Sequence, residues 1–269
     1  MIAPIPVPQQ YLGVWQRKLL QSSAGVDKSS HVYWLQTSVL HADIRIPADR
    51  PAFKDKKSLL DFSLSELQQL AGQKGFAGET SVIGNSCLWL RHIDYQPPGK
   101  GHDIGNMEFS GTQILETGIA NNYTEIWERL PDSQGATYAF RFKEENSAYQ
   151  ACKPQSGILV VSGDYFIFAR DRVIALPQSL SLDTLLNERK FTQPQLIELL
   201  DFEISFGRVA NGNIPWEIQL STLPFREGNP LITASTWAAI TQANGEYIQH
   251  DKSWNGTITR RWLPVAHSF

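Results

Sequence analysis

Tyr11-Leu-Gly-Val-Trp-Gln-Arg17 returns, altered but recognisable, as Tyr123-Thr-Glu-Ile-Trp-Glu-Arg129. Each copy stands at the head of a strand-rich half, so the chain reads as one β unit stated twice. Three landmarks support this. Leu35 aligns with Val161 at an offset of 126, Phe62-Ser-Leu-Ser-Glu-Leu67 with Phe191-Thr-Gln-Pro-Gln-Leu196 at 129, and Trp89 with Trp216 at 127. The Trp15 and Trp127 pair falls about 15 residues short of that spacing and needs an insertion near 131–150. Any two antiparallel meanders share some landmarks; the near-constant spacing is what favours duplication.

The pattern between landmarks is mostly strand. His31 to Thr37 and Val39 to Ile46 form a hairpin around Thr37-Ser38. In its second arm Leu40, Ala42, Ile44 and Ile46 alternate with Val39, His41, Asp43 and Arg45, the period of a strand with unlike faces. Ser63 and Glu66 make a capping box for a short helix, and Thr192 with Pro194 starts another. A further helical segment spans 182–190. Strand-like runs lie at 12–20, 81–83, 87–95, 106–115, 138–142, 158–161, 165–169, 202–209, 216–220, 237–242, 247–249 and 258–262. The expected fold is all-β with a few short helices, as two tandem antiparallel β-barrels. Residues 1–10 form an extended Pro-rich arm, 11–122 the first barrel and 123–269 the second. Closure hides strand edges, and a small barrel holds packed side chains or one small ligand.

A net charge of −3 over 269 residues gives no basic stripe for nucleic acid. No apolar run is long enough to span a membrane, and the N-terminus lacks the basic and apolar regions of a signal peptide. The chain reads as cytoplasmic. Cys87 and Cys152 then read as free thiols.

Gly13-Val-Trp15 resembles the G-x-W signature of lipocalins and related calycins. There the Trp plugs a barrel end and stacks on a cation, a role open here to Arg129 or Arg261. More specifically, the chain resembles the Hri family, named for a fungal protein that interacts with a casein-kinase-type kinase. The residues that carry this are Trp34-Leu-Gln-Thr-Ser-Val-Leu-His-Ala-Asp-Ile-Arg-Ile-Pro47, Glu116-Thr-Gly118 and Glu125-Ile-Trp127. The resemblance covers most of the chain and implies two lipocalin-like barrels in tandem. It implies no enzyme activity, ligand or catalytic residue.

His41-x-Asp43 and His92-x-Asp94 are the sharpest constellation. On inward faces they could gather ligands suited to Zn, Mn or Fe. The competing reading takes the apolar Leu40-Ala42-Ile44 face as core and leaves His41 and Asp43 in solvent. A third places His41, Asp43, Arg45, Arg91, His92 and Tyr95 around a cavity for a largely apolar or anionic small molecule, since Arg grips carboxylate or phosphate. Regular alternation sets Arg91 and Tyr95 on one face and His92 and Asp94 on the other, so only a β-bulge could gather both sets. Analogy with the haem-binding nitrobindins makes His92 a conceivable iron ligand, and the cofactor is otherwise unknown. The loop 96–105 is placed to cover the mouth of the first barrel. No nucleophile elbow, zinc helix or P-loop is present. The leading expectation is therefore a small-molecule binding protein. An interaction scaffold with filled barrels and a protein partner, and a metal-dependent or acid–base enzyme, are the alternatives.

Overall fold

The computed structural model describes residues 5–97, 101–150, 152–209 and 214–268. The chain is mostly β, in two antiparallel sheets. The first contains β1 (Gly13–Ser22), β2 (Gly25–Asp27), β3 (His31–Gln36), β4 (Leu40–Ile46), β5 (Lys74–Ile83), β6 (Ser86–Asp94), β7 (Asp103–Ser110), β8 (Gln113–Gly118) and β9 (Tyr123–Arg129). Its order is β2-β1-β3-β4-β5-β6-β7-β8-β9, and β9 pairs back onto β1. Eight strands thus close a barrel, with β2 extending only the end of β1.

The two echoed motifs are the strands that meet at this seam. Trp15 lies opposite Arg129, and Arg17 opposite Trp127. Tyr123–Arg129 therefore closes the first barrel and does not open the second, so the expected boundary at 122/123 moves past Arg129. Each motif turns its Trp into the barrel at the seam, Trp15 from one side and Trp127 from the other.

The second sheet contains β10 (Thr137–Asn146), β11 (Gln155–Ser162), β12 (Tyr165–Arg170), β13 (Glu203–Arg208), β14 (Glu217–Ser221), β15 (Tyr247–Ser253) and β16 (Gly256–Ser268), in the order β14-β13-β12-β11-β10-β16-β15. This is the circular order of the first sheet, with β10 in the place of β1, β11 of β3, β12 of β4, β13 of β5, β14 of β6, β15 of β8 and β16 of β9. The place of β7 in the chain is held by a helix, α4 (Ala234–Gln242), and the sheet stays open as a curled half-barrel. Residues 237–242 read as strand in the sequence, yet they are helical. Thr233 caps the segment by accepting the Thr236 N–H, and α4 sets Trp237 against Trp216 and Tyr138 over the half-barrel interior. The run 106–115 is two strands, broken at Gly111, whose φ of 58° suits glycine.

Both capping boxes form, starting α1 (Leu64–Leu70) and α3 (Gln193–Leu200); α2 (Leu182–Glu188) precedes α3. The N-terminal arm is anchored over its described part. Val7 is buried and donates its N–H to Ser38 O at 2.8 Å, and Gln9–Tyr11 make a 3-10 turn. Residues 1–4 lie outside the described residues. Trp15 is fully buried with the Arg129 guanidinium 4.3 Å from its ring, and Arg261 pairs instead with Glu246. Among the described residues no helix is long and apolar enough to cross a membrane.

The sheets pack against each other through equivalent strands. Leu35, Ala42, Ile44, Ala77 and Ile93 meet Ile158, Val160, Ile167, Ile204 and Phe206 in one apolar core. Tyr33 stacks on Phe206 at 4.2 Å. Arg172 staples the two units. It donates to Asp94 O at 3.0 Å, Tyr95 O at 2.9 Å and Leu199 O at 3.0 Å, with its guanidinium over Phe202. Removing a buried charged donor strands its acceptors. Arg172→Met should therefore lower unfolding free energy by about 2–4 kcal/mol, read from urea midpoints at unchanged slope; an unshifted midpoint would dismiss the staple.

Candidate functional site: a polar cavity in the closed barrel

Strand β4 decides what lies inside. Its register pairs Gln36 with His41, Trp34 with Asp43 and Val32 with Arg45. Val32 and Trp34 belong to the cluster inside the barrel, so His41, Asp43 and Arg45 point inward with them. This overturns the expectation that His41 and Asp43 are solvated. The apolar face of β4 is buried too, but against the second sheet. A strand covered on both sides has no solvent face to give its polar residues.

Strand β6 carries the bulge that regular alternation lacks. Ile93 pairs with Ala77, but Arg91 pairs with Gly78, so His92 is the extra residue. The bulge turns Trp89, Arg91 and Asp94 to the same, inner side. Arg91 lies 3.7 Å above the inward Phe76 ring and bonds Asp94 at 3.2 Å and Asp103. His92 is displaced outward, its Nδ1 3.3 Å from Arg141 of β10. Tyr95 also faces out, buried in the core between the sheets with its hydroxyl on Leu70 O. The two His-x-Asp pairs therefore do not converge, and His92 is not placed to hold haem iron inside the barrel. Among the described residues no group of three metal-ligating side chains is gathered.

Of the six expected residues, Asp43, Arg45 and Arg91 line one cavity of about 420 Å³. His41 sits in the same interior but away from that wall. Thr80 Oγ1 donates to Gln36 Oε1 at 2.7 Å and lies 2.9 Å from His41 Nδ1. With the hydroxyl hydrogen spent on Gln36, Nδ1 is the donor and Nε2 carries the lone pair. Burial, then Arg91 and His92, lowers the His41 pKa to about 3, so the ring is neutral. Of the expected covering loop, residues 98–100 lie outside the described residues, while Asp103 lines the mouth as the first residue of β7.

The rest of the wall was not foreseen. Trp34, Trp89, Trp127 and Phe76 supply aromatic surface; Glu116, Tyr123 and Glu125 supply polar groups. The hairpin of β8 and β9 sets Glu116 directly opposite Glu125. Glu125 is bound by Arg17 at 2.8 Å, and Asp43 by Arg45 at 2.8 Å. Glu116 has no such cation among the described residues. It accepts from the Tyr123 hydroxyl at 2.7 Å and the Trp127 indole N–H at 2.9 Å. Burial first, then the facing Glu125, pushes its pKa from 4.5 up to about 8. One sequence cue was available: Ile114 and Glu116 share a face of β8, and a carboxylate in step with a core residue has to be accommodated inside.

The second half offers an internal comparison. Trp262 donates its indole N–H to Gln249 at 2.9 Å. By register, Trp262 and Gln249 occupy the places of Trp127 and Glu116. A carboxamide thus performs the same structural task there. The cavity of that half, about 540 Å³, is lined by Arg170, Arg226 and Arg260, each bound to a carboxylate. In comparisons with known proteins, no family model, curated protein or solved structure matches the chain.

Two outcomes follow. A Cβ on Gly78 would stand 1.8 Å from Leu90 O. Gly78→Ala should therefore open the bulge and cost about 2–4 kcal/mol in unfolding free energy; a loss within error would show the close approach to be dispensable. Glu116 stays protonated in the fold while it ionises in the unfolded chain, so its contribution is lost as pH rises from 4.5 to about 8. Glu116→Gln removes this loss. The stability of the variant relative to the natural protein should rise across that window, and a constant difference would contradict it.

Proposed function

We propose that the chain is a small-molecule binding protein, built as a duplicated calycin-like pair of the kind the Hri resemblance implies, with its ligand in the closed first barrel. One observation carries this reading. The cavity of about 420 Å³ falls in the range of small-ligand sites, sets aromatic walls beside carboxyl and guanidinium groups, and leaves the buried Trp34 indole N–H without an acceptor among the described residues. A buried donor of that kind costs stability unless something completes it. In the second half Phe140, Phe142, Phe166, Phe168 and Trp262 pack under α4, and the arginines lining the cavity of about 540 Å³ are each matched by a carboxylate. We propose no reaction.

The expected anionic ligand loses its support in the ion pairs. Arg45 and Arg91, the guanidiniums on the wall, are already matched by Asp43 and Asp103. What is left for a ligand is apolar surface and one anchor.

Native mass spectrometry of the purified protein tests the proposal. A non-covalent adduct of small-molecule mass is expected, lost on denaturation. Ser22 stands at the mouth and is partly exposed, so Ser22→Trp should block the adduct without unfolding the barrel. An adduct that persists in this variant, or none in the natural protein, counts against the first barrel as the site.

A further inference from the structure

Resting on that reading, we infer that the ligand is an amine: a compact apolar or aromatic body carrying an ammonium that docks against Glu116, with an oxygen that accepts from Trp34. The geometry sets this. Four carboxyl groups line the cavity against two guanidiniums. Asp43, Glu125 and Asp103 are each held by an arginine, and Glu116 alone is left to neutral donors. It shares the cavity wall with Trp34, Trp89 and Phe76 and touches Trp127. A carboxylate set between aromatic faces is the arrangement that receives an ammonium, because the ring faces are negative and the site is screened from water.

The second half sharpens the point. Gln249 holds Trp262 as Glu116 holds Trp127. Supporting the indole requires an acceptor oxygen and nothing acidic. The acid in the first barrel therefore exceeds the structural need, and it stands where the cavity opens onto it. The groups facing it are Tyr123, Glu125 and Trp127 of β9, Asp103 of β7, Arg45 of β4 and Cys87 of β6. The one cation among them, Arg45, is committed to Asp43 and Glu125. An arriving ammonium supplies the missing positive charge and draws the carboxyl into its ionised form. Binding then releases a proton at neutral pH, because the empty site holds the acid neutral up to about 8.

Three matched probes test this by titration calorimetry: tyramine, its neutral alcohol analogue tyrosol, and 4-hydroxyphenylacetate. Each has the same phenol, whose oxygen can meet Trp34. Tyramine is expected to bind about tenfold more tightly than tyrosol, with the acid weakest. Tyramine binding should release a proton, seen as a dependence of the heat on buffer ionisation enthalpy, and tyrosol binding should not. Glu116→Gln should bring tyramine down to the tyrosol affinity and abolish the proton release while leaving tyrosol unchanged. Trp34→Phe should weaken both probes alike. Gln249 shows that a carboxamide suits this position, and thermal melting verifies the fold of each variant. Equal affinity for tyramine and tyrosol, or a preference that survives Glu116→Gln, overturns the amine. If tyrosol still binds and Ser22→Trp abolishes it, the binding-site proposal stands without it. If none of the three binds, both fall.

Discussion

Strand β4 is buried on both faces, and the architecture around it follows from that. One face carries Leu40, Ala42, Ile44 and Ile46 into the core between the two sheets. The other carries His41, Asp43 and Arg45 into the barrel. A charged side chain cannot be taken out of water alone, since its desolvation exceeds what a domain can spare. The barrel interior therefore has to contain partners, and it does: Arg45 with Asp43, Arg17 with Glu125 and Asp27, Arg91 with Asp94 and Asp103. The polar cavity is the consequence of stacking two sheets on a strand whose alternate residues are charged.

The same constraint acts in the second half with a different outcome. β12 takes the place of β4 and is also buried along its whole length. Its inward residues Phe166 and Phe168 are aromatic, and only Arg170 at its end is charged. Aromatic packing occupies part of this interior, and the ion pairs of Arg170, Arg226 and Arg260 line the rest. The missing strand matters here. With no counterpart of β7, the sheet cannot close on itself, and α4 fills the space with Trp237. The first unit closes around its polar cavity; the second is open, with an aromatic cluster beside a cavity of about 540 Å³ that is lined by ion pairs. Two units with one strand order thus differ in closure and in what lines their interiors.

Much of the fold was legible because local signals are strong where capping and alternation agree. The Thr37-Ser38 hairpin and the Ser63 and Thr192 caps all act within a few residues. What sequence could not convey was tertiary. The echo of Tyr11–Arg17 in Tyr123–Arg129 reads equally as a repeat or as two facing strands, and only the pairing across more than a hundred residues separates them. The direction of β4 failed for a related reason: apolar alternation marks a buried face, but it does not say which of two cores receives it. The bulge at Arg91 and His92 depends on Gly78 of another strand. Nothing local announces it, and it alone separates Arg91, which keeps the inward face with Trp89, from Tyr95, which faces the other core.

Closure and chemistry are linked through the seam. Glu125 and Trp127 lie on β9, and Arg17 lies on β1, so the pair Arg17–Glu125 exists only when the last strand meets the first. Glu116 depends on the same event, because its partners Tyr123 and Trp127 are also on β9. Closure pairs one of these carboxyls with an arginine and leaves the other held neutral by burial. The barrel thereby gives two carboxyls, directly opposite on neighbouring strands, unequal surroundings: an arginine for one and neutral donors for the other. That asymmetry requires no special residue types, only the unequal reach of Arg17 and Arg45, which both find Glu125 and leave its neighbour without a cation.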